Sequence, residues 1–268
     1  MPSRLVHVVI EAADTERLGR FWADVFGWQA SAASDVSPAV AGAEGVDGAV
    51  MVRPSAWRYP DPGPLPLLLV PADGPHIKRN RLHLDVPTKS AAHHGDVVKR
   101  VIELGATPAD IGQGDVPWEV LTDPEGNEFC VLDPRPGVYF DTGPVAAVVV
   151  SCADPAAEAV FWAQAAGWRR QKAPASEGLV ALRAGQVRGP FLEFLRDPGA
   201  ENAGHRARLD VAPMPGEDKD EALTALLAAG ARPSDSGQPD AEWNLLSDPE
   251  GVEFRVLTSR LSSLIVVR

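Results

Sequence analysis

Asp123-Pro-Glu-Gly-Asn-Glu-Phe-Cys-Val-Leu-Asp133 recurs as Asp248-Pro-Glu-Gly-Val-Glu-Phe-Arg-Val-Leu-Thr258, with eight of eleven positions identical. A match of that density within one chain marks a duplication, and a repeat constrains architecture more strongly than local propensity does. The register extends upstream at the same offset of 125 residues: Trp118 aligns with Trp243, Leu104-Gly105-Ala106 with Ala229-Gly230-Ala231, and Leu84-Asp85-Val86 with Leu209-Asp210-Val211. Nearer the N-terminus the offset becomes 140, matching Ala13-Asp14 with Ala153-Asp154, Phe21-Trp22 with Phe161-Trp162, and Gly27-Trp28 with Gly167-Trp168. The first copy therefore carries about fifteen extra residues, which fall in the Ala-, Gly-, Pro- and Ser-rich stretch between Ala30 and Pro66. Such a stretch reads as a loop, either covering a site or lying neutrally on the surface.

Each copy reads as strand, helix and strands, twice over. Val6 to Ala12 reads as a strand; Asp14-Thr15-Glu16 opens a helix whose Leu18, Phe21, Trp22 and Val25 recur at three- and four-residue spacing, and Gly27 closes it. Val50 to Val52 and Leu67 to Val70 are short apolar strands. The second half runs from the strand Arg81 to Val86 through a helix from about Ala91 to Leu104. It ends in a hairpin of Trp118 to Leu121 and Glu128 to Leu132, turned by Asp123-Pro-Glu-Gly126. The expected class is α+β: two tandem domains at 1–136 and 145–268, joined by a breaker-rich linker at 137–144, each domain holding two βαβββ units.

The bulk composition narrows the function classes. A chain of 268 residues with 45% hydrophobic content can bury two ordinary cores. Its net charge of −12 argues against nucleic acid, which calls for clustered Lys and Arg. No apolar run reaches the length of a membrane helix, and the N-terminus leads directly into a strand, so a cytoplasmic protein without a membrane partner is expected. Cys130 and Cys152 lie in strand-like runs without a metal-knuckle or disulfide spacing, and read as small core residues.

The opening strand, the helix bearing Phe-Trp and Gly-Trp, the mid-domain Asn80-Arg81-Leu82-His83-Leu84-Asp85 and the terminal Asp-Pro-Glu-Gly-Asn-Glu-Phe together resemble the glyoxalase-like domains of the vicinal oxygen chelate superfamily, which includes glyoxalases, bleomycin-resistance proteins and extradiol dioxygenases. The resemblance covers nearly the whole chain, once per copy. It implies paired βαβββ units that curl into a cup, with metal ligands pointing inward from the first and last strands of each unit. The positions it singles out in the first copy are His7, Leu69, His83 and Glu128, and in the second Ala147, Glu193, Arg208 and Glu253.

Two imidazoles and one carboxylate suit a divalent first-row ion such as Fe, Mn, Ni or Zn and leave positions open for substrate. The expected metal set is thus His7, His83 and Glu128 in the first domain, with a degenerate second domain. Members of the superfamily also build cups by exchanging units between domains. In that swapped pairing, His83 and Glu128 would join Glu193 and Ala147, while His7 would face Arg208 and Glu253. The unswapped pairing is favoured because it alone gathers both histidines.

Trp118 and Arg208 are candidate substrate-binding residues, the first as a cup wall and the second for an anionic group. His93 and His94 read as solvated on a polar helix face, His76 and His205 as loop residues, Lys78 and Arg81 as a solvated edge or a charge at the cup mouth, and the repeated tryptophans as core.

The functional expectation is a divalent-metal-dependent enzyme, a lyase or dioxygenase, acting on a small molecule with adjacent oxygens. True glyoxalase I chemistry is disfavoured because Leu69 cannot accept a proton. The alternative is a metal-free protein that binds an antibiotic or metabolite, and either would work as a monomer or homodimer.

Overall fold

The computed structural model describes residues 3–36, 47–57, 61, 63–74, 79–112, 114–139, 141–171, 178–185, 188–200, 204, 206–214, 216–234 and 243–257. The first unit comprises β1 (Ser3–Ala12), α1 (Thr15–Phe26), β2 (Gln29–Ala32), the single turn α2 (Ala33–Val36), β3 (Val50–Arg53) and β4 (Leu67–Pro71). The second comprises β5 (Leu82–Val86), α3 (Ala91–Glu103), β6 (Thr107–Pro108), β7 (Glu119–Thr122) and β8 (Glu128–Val131). Copy two repeats both: β9 (Ala147–Cys152), α4 (Pro155–Ala165), β10 (Arg169–Arg170), β11 (Leu179–Arg183) and β12 (Phe191–Arg196), then β13 (Ala207–Pro213), α5 (Lys219–Ala228), β14 (Arg232–Pro233), β15 (Asn244–Ser247) and β16 (Glu253–Val256). Four βαβββ units in an α+β fold thus agree with the sequence pattern.

The helix signals act as the sequence indicates. Asp14 caps α1 by accepting from the Arg17 N–H at 2.9 Å, and Gly27 ends it at φ +66°, a conformation that glycine adopts without steric cost. Leu18, Phe21 and Trp22 fill the buried face. Trp162 and Trp168 are buried and Trp28 packs at the core edge, so the repeated tryptophans are core.

The pairing of units corrects the expected arrangement. One eight-stranded sheet runs β14-β15-β16-β13-β1-β4-β3-β2, and the other runs β10-β11-β12-β9-β5-β8-β7-β6. The seams are β1 against antiparallel β13 and β5 against antiparallel β9. Each sheet therefore takes one unit from each copy, and the units are exchanged.

The recurring motif itself ties the two units of one copy together, alongside the shared core. The Trp22 indole N–H donates to Asp123 Oδ2 at 3.2 Å, and the Glu125 carboxylate accepts from the Ala13 and Asp14 backbone N–H groups. Copy two repeats this with Trp162 on Asp248, and with Glu250 accepting from Ala153 and Asp154. The Asp-Pro-Glu-Gly segment is a turn, as expected, and also a docking clasp for the helix at the start of its own copy.

One face of each sheet packs with the helices in a shared core holding Val8, Leu69, Leu84, Phe129, Val148 and Phe254 among others. The opposite faces carry two separate smaller clusters, one around Val9, Met51, Trp57 and Leu68, the other around Cys130, Tyr139, Ala147 and Phe191. These outer faces are the two cups.

Candidate functional site

Strand register places the polar residues of the second sheet in rows. Phe191 pairs with Ala147, Ala147 with Asp85 and Asp85 with Cys130, so these four side chains share one face. The neighbouring row joins Glu193, Val149 and His83 across β12, β9 and β5. Glu128 lies two residues before Cys130 on β8 and therefore on the same face.

At the centre stands Asp85. Its Oδ1 is buried, makes no hydrogen bond and lies 3.4 Å from His83 Nε2. His83, Asp85 and Cys130 each offer a donor atom, all within 4.8 Å of one another. Burial and the adjacent Asp85 carboxylate push the Cys130 thiol well above its ordinary range, so it holds its proton. Beyond Asp85, burial pushes Glu193 up to about 8, with Asp85 adding to the rise and the Tyr139 hydroxyl, which donates to Glu193 Oε1 at 3.0 Å, opposing it.

The mouth of this cup is a cavity of about 300 Å³ lined by His83, Glu128, Cys130, Asn80 and the Arg79–Asp197 ion pair. Glu128 Oε2 accepts from the Asn80 backbone N–H at 3.1 Å, which holds the carboxylate at the rim. Trp118 packs beside the inner cluster, with the Arg135 guanidinium 5.4 Å from its ring centre.

The first sheet carries the same scaffold with different chemistry. Asp210 takes the place of Asp85, but His7 replaces Ala147 and Arg255 replaces Cys130 on either side of it. His7 Nε2 lies 2.7 Å from Asp210 Oδ2, and Arg255 donates through Nε to Asp210 Oδ1 at 3.0 Å. Burial lowers the guanidinium of Arg255 to about 9, and the Glu11 carboxylate opposes this shift. Arg208, at the position of His83, donates to Glu11 at 2.9 Å. Here the carboxylate is fully neutralised, and the cup floor is packed with Met51, Trp57 and Leu68.

His7 therefore sits on one sheet and His83 and Glu128 on the other, so the set His7, His83 and Glu128 does not converge. Glu193 shares the cup of His83 and Glu128, whereas Arg208 and Glu253 share that of His7. Leu69 is not the inward residue of β4: it pairs with Ile10 and faces the shared core, while Leu68 pairs with Val9 on the cup side. By the same register, Leu68 is the counterpart of Glu193.

Asp85 and Cys130 were missed as site residues. The available signal was a carboxylate recurring as Asp85 and Asp210 on strands that are otherwise apolar. Tyr139 was hidden by its place in the linker. Arg81 is neither a solvated edge nor at the mouth: it is 4% exposed and bonds Ser151 O and the Glu250 side chain. His94 is half-buried, with Nε2 3.3 Å from Val131 O, and His93 is half-buried as well. His76, His205 and Lys78 lie outside the described residues.

A model of the glyoxalase-like domain matches residues 7–132 and again 147–257. Among solved structures, the chain is similar to glyoxalase I from Zea mays at 14% identity and a TM-score of 0.62, covering 97% of this chain and 93% of that one. It is also similar to a putative dioxygenase from Bacillus subtilis subsp. subtilis str. 168 at 12% identity and a TM-score of 0.55, covering 96% and 85%. Among curated protein sequences, none matches. At these identities the likeness establishes the fold, and the two family matches, one per copy, establish the lineage: the chain belongs to the glyoxalase-like domain family of the vicinal oxygen chelate superfamily, with two such domains in tandem.

Proposed function

We propose that the cup of the second sheet is a divalent-metal-dependent active site for a small molecule with adjacent oxygen atoms. The observation that carries this reading is the buried, unbonded Asp85 Oδ1 facing His83 Nε2 and Cys130 Sγ. A buried carboxylate oxygen without a hydrogen bond is costly, and a cation is a partner that relieves it. Imidazole, carboxylate and a cysteine sulfur, whose proton a bound ion would displace, are a donor set that zinc and its first-row neighbours accept. A bound ion would supply Lewis acidity to paired substrate oxygens.

The chain's own residues then divide the remaining work. His83 and Asp85 would hold the ion, with Glu128 at the rim as a further ligand. Glu193, which keeps its proton near neutrality, is a general acid or base with Tyr139 fixing its orientation. Trp118 provides an apolar wall for the substrate. Arg208 has no part in this cup, because it lies on the other sheet and bonds Glu11.

A metal-free cup that binds an antibiotic or metabolite is the second reading. It is supported by the protonated Cys130 and the Tyr139–Glu193 bond, which already form a hydrogen-bonded wall. Titration of the untagged protein with Zn, Ni, Mn and Fe(II) separates the two. The enzyme reading expects one stoichiometric site, with affinity falling by roughly 100-fold or more in His83→Ala and Asp85→Asn. Absence of stoichiometric binding by all four ions would leave the binding reading in its place.

A further inference from the structure

We infer that the crevice between α3 and the linker joining the copies is a second ligand site, built for a small anion with an apolar body. The crevice encloses about 560 Å³, a size suited to a compact organic ligand, and shares no lining residue with the cavity of the cup. Lys89, His93, Arg100 and Arg135 line it, and no carboxylate does. In a chain whose net charge is −12, the Lys89 and Arg100 cations around one hollow, with the His93 imidazole and the Asp133-paired Arg135 beside them, run against the average composition and create a local field that attracts anions.

The basic groups are placed to receive a ligand. Arg100 donates one N–H to the Asp24 carbonyl at 2.7 Å, which anchors the guanidinium and leaves further N–H groups available. His93 Nδ1 accepts from the Lys89 backbone N–H at 3.1 Å, so the neutral ring carries its proton on Nε2. The Lys89 ammonium makes no ion pair among the described residues and is exposed at the rim. Arg135, held by Asp133 at 3.0 Å, closes the linker end. Val25 of α1, Val86 of β5, and Val97 and Val101 of α3 supply the apolar wall. A carboxylate, sulfonate or phosphate on a ring or short hydrocarbon matches this division of charged rim and apolar wall.

The test is calorimetric titration of the full chain with 2-naphthoate, with 2-naphthylmethylammonium as a control of equal shape and opposite charge. One saturable site is expected for the anion and none for the cation, with affinity falling as salt rises. The double variant Lys89→Glu, Arg100→Glu should weaken naphthoate by roughly tenfold or more, since each reversal replaces attraction by repulsion. His83→Ala should leave it unchanged. If the double variant does not fold, the exposed Lys89→Ala should still weaken binding by about threefold. The inference is overturned if the wild type shows no saturable binding, if the ammonium binds equally well, or if His83→Ala abolishes naphthoate binding while the crevice variants retain it.

Discussion

His7 Nε2 and Asp210 Oδ2 lie 2.7 Å apart, and both side chains are completely sealed from solvent. This contact sits at the seam between β1 and β13, so it joins the first unit of one copy to the second unit of the other. Removing one member of a buried, charge-assisted pair leaves the other under-compensated, although Arg255 still bonds Asp210 here. His7→Ala should therefore cost about 2 to 4 kcal/mol in thermal or denaturant unfolding. Metal affinity in the opposite cup should not change; a loss there without unfolding would contradict the separation of the two faces.

The same comparison yields a substitution that closes the second cup. Cys130→Arg places a guanidinium beside Asp85 as Arg255 stands beside Asp210. The variant should fold and should bind divalent ions at least 100-fold more weakly, because the cation site would be filled by its own side chain. Retained stoichiometric metal binding would show that Asp85 is not the anchoring carboxylate.

Tyr139 tunes Glu193. Its hydroxyl donates to the carboxylate and favours the charged form, against burial and the Asp85 charge, which leave Glu193 at about 8. Tyr139→Phe should move that titration upward. Because the folded value lies above the ordinary carboxylate value of 4.5, the contribution of Glu193 to stability is fully present below about 4.5 and is lost as pH rises through about 8. Carbon NMR of labelled glutamate, followed across pH 5 to 10, checks both the position and the direction; a downward shift in the variant would refute the assignment.

Glu158 is a second buried carboxyl, this time in the shared core. It occupies the place of Leu18, and burial together with the neighbouring Asp248 pushes it up to about 10, so it is neutral at pH 7. Folding then retains a proton that the unfolded chain gives up above about 4.5, and stability falls between that pH and about 10 by at most about 1.4 kcal/mol per pH unit. Glu158→Leu, which copies the first repeat, should raise the melting temperature at pH 8 and flatten the pH dependence. A melting curve that drops with this variant would show that the Glu158–Asp248 contact is a net support.

The fold was legible because the evidence for it is periodic and redundant. Eight identities around Asp123 and Asp248 fix the repeat, and the caps at Asp14 and Gly27 and the breaker at Gly126 mark the elements. Pairing between units was not legible, because an inward strand presents the same alternation whichever neighbour it bonds. The preference for gathering both histidines rested on residue identity, whereas the topology is decided by the β1–β13 and β5–β9 seams, which no local pattern encodes. In the candidate site, His83 and Glu128 were visible as polar residues in apolar strands. Cys130 reads as a small core residue, Asp85 as part of a strand motif and Tyr139 as linker, because the pairings of Asp85 with Cys130 and of Tyr139 with Glu193 join residues more than forty positions apart.

Because every sheet draws one half from each copy, neither copy owns a cup. In the first sheet His7 of one repeat and Arg255 of the other converge on Asp210. Each repeat supplies strands to both sheets, so the repeats are bound to a common fate and each cup is a joint property of the pair. Two separately encoded halves would have to find each other to rebuild it, so the peptide link between them acts as a guarantee of equal dosage.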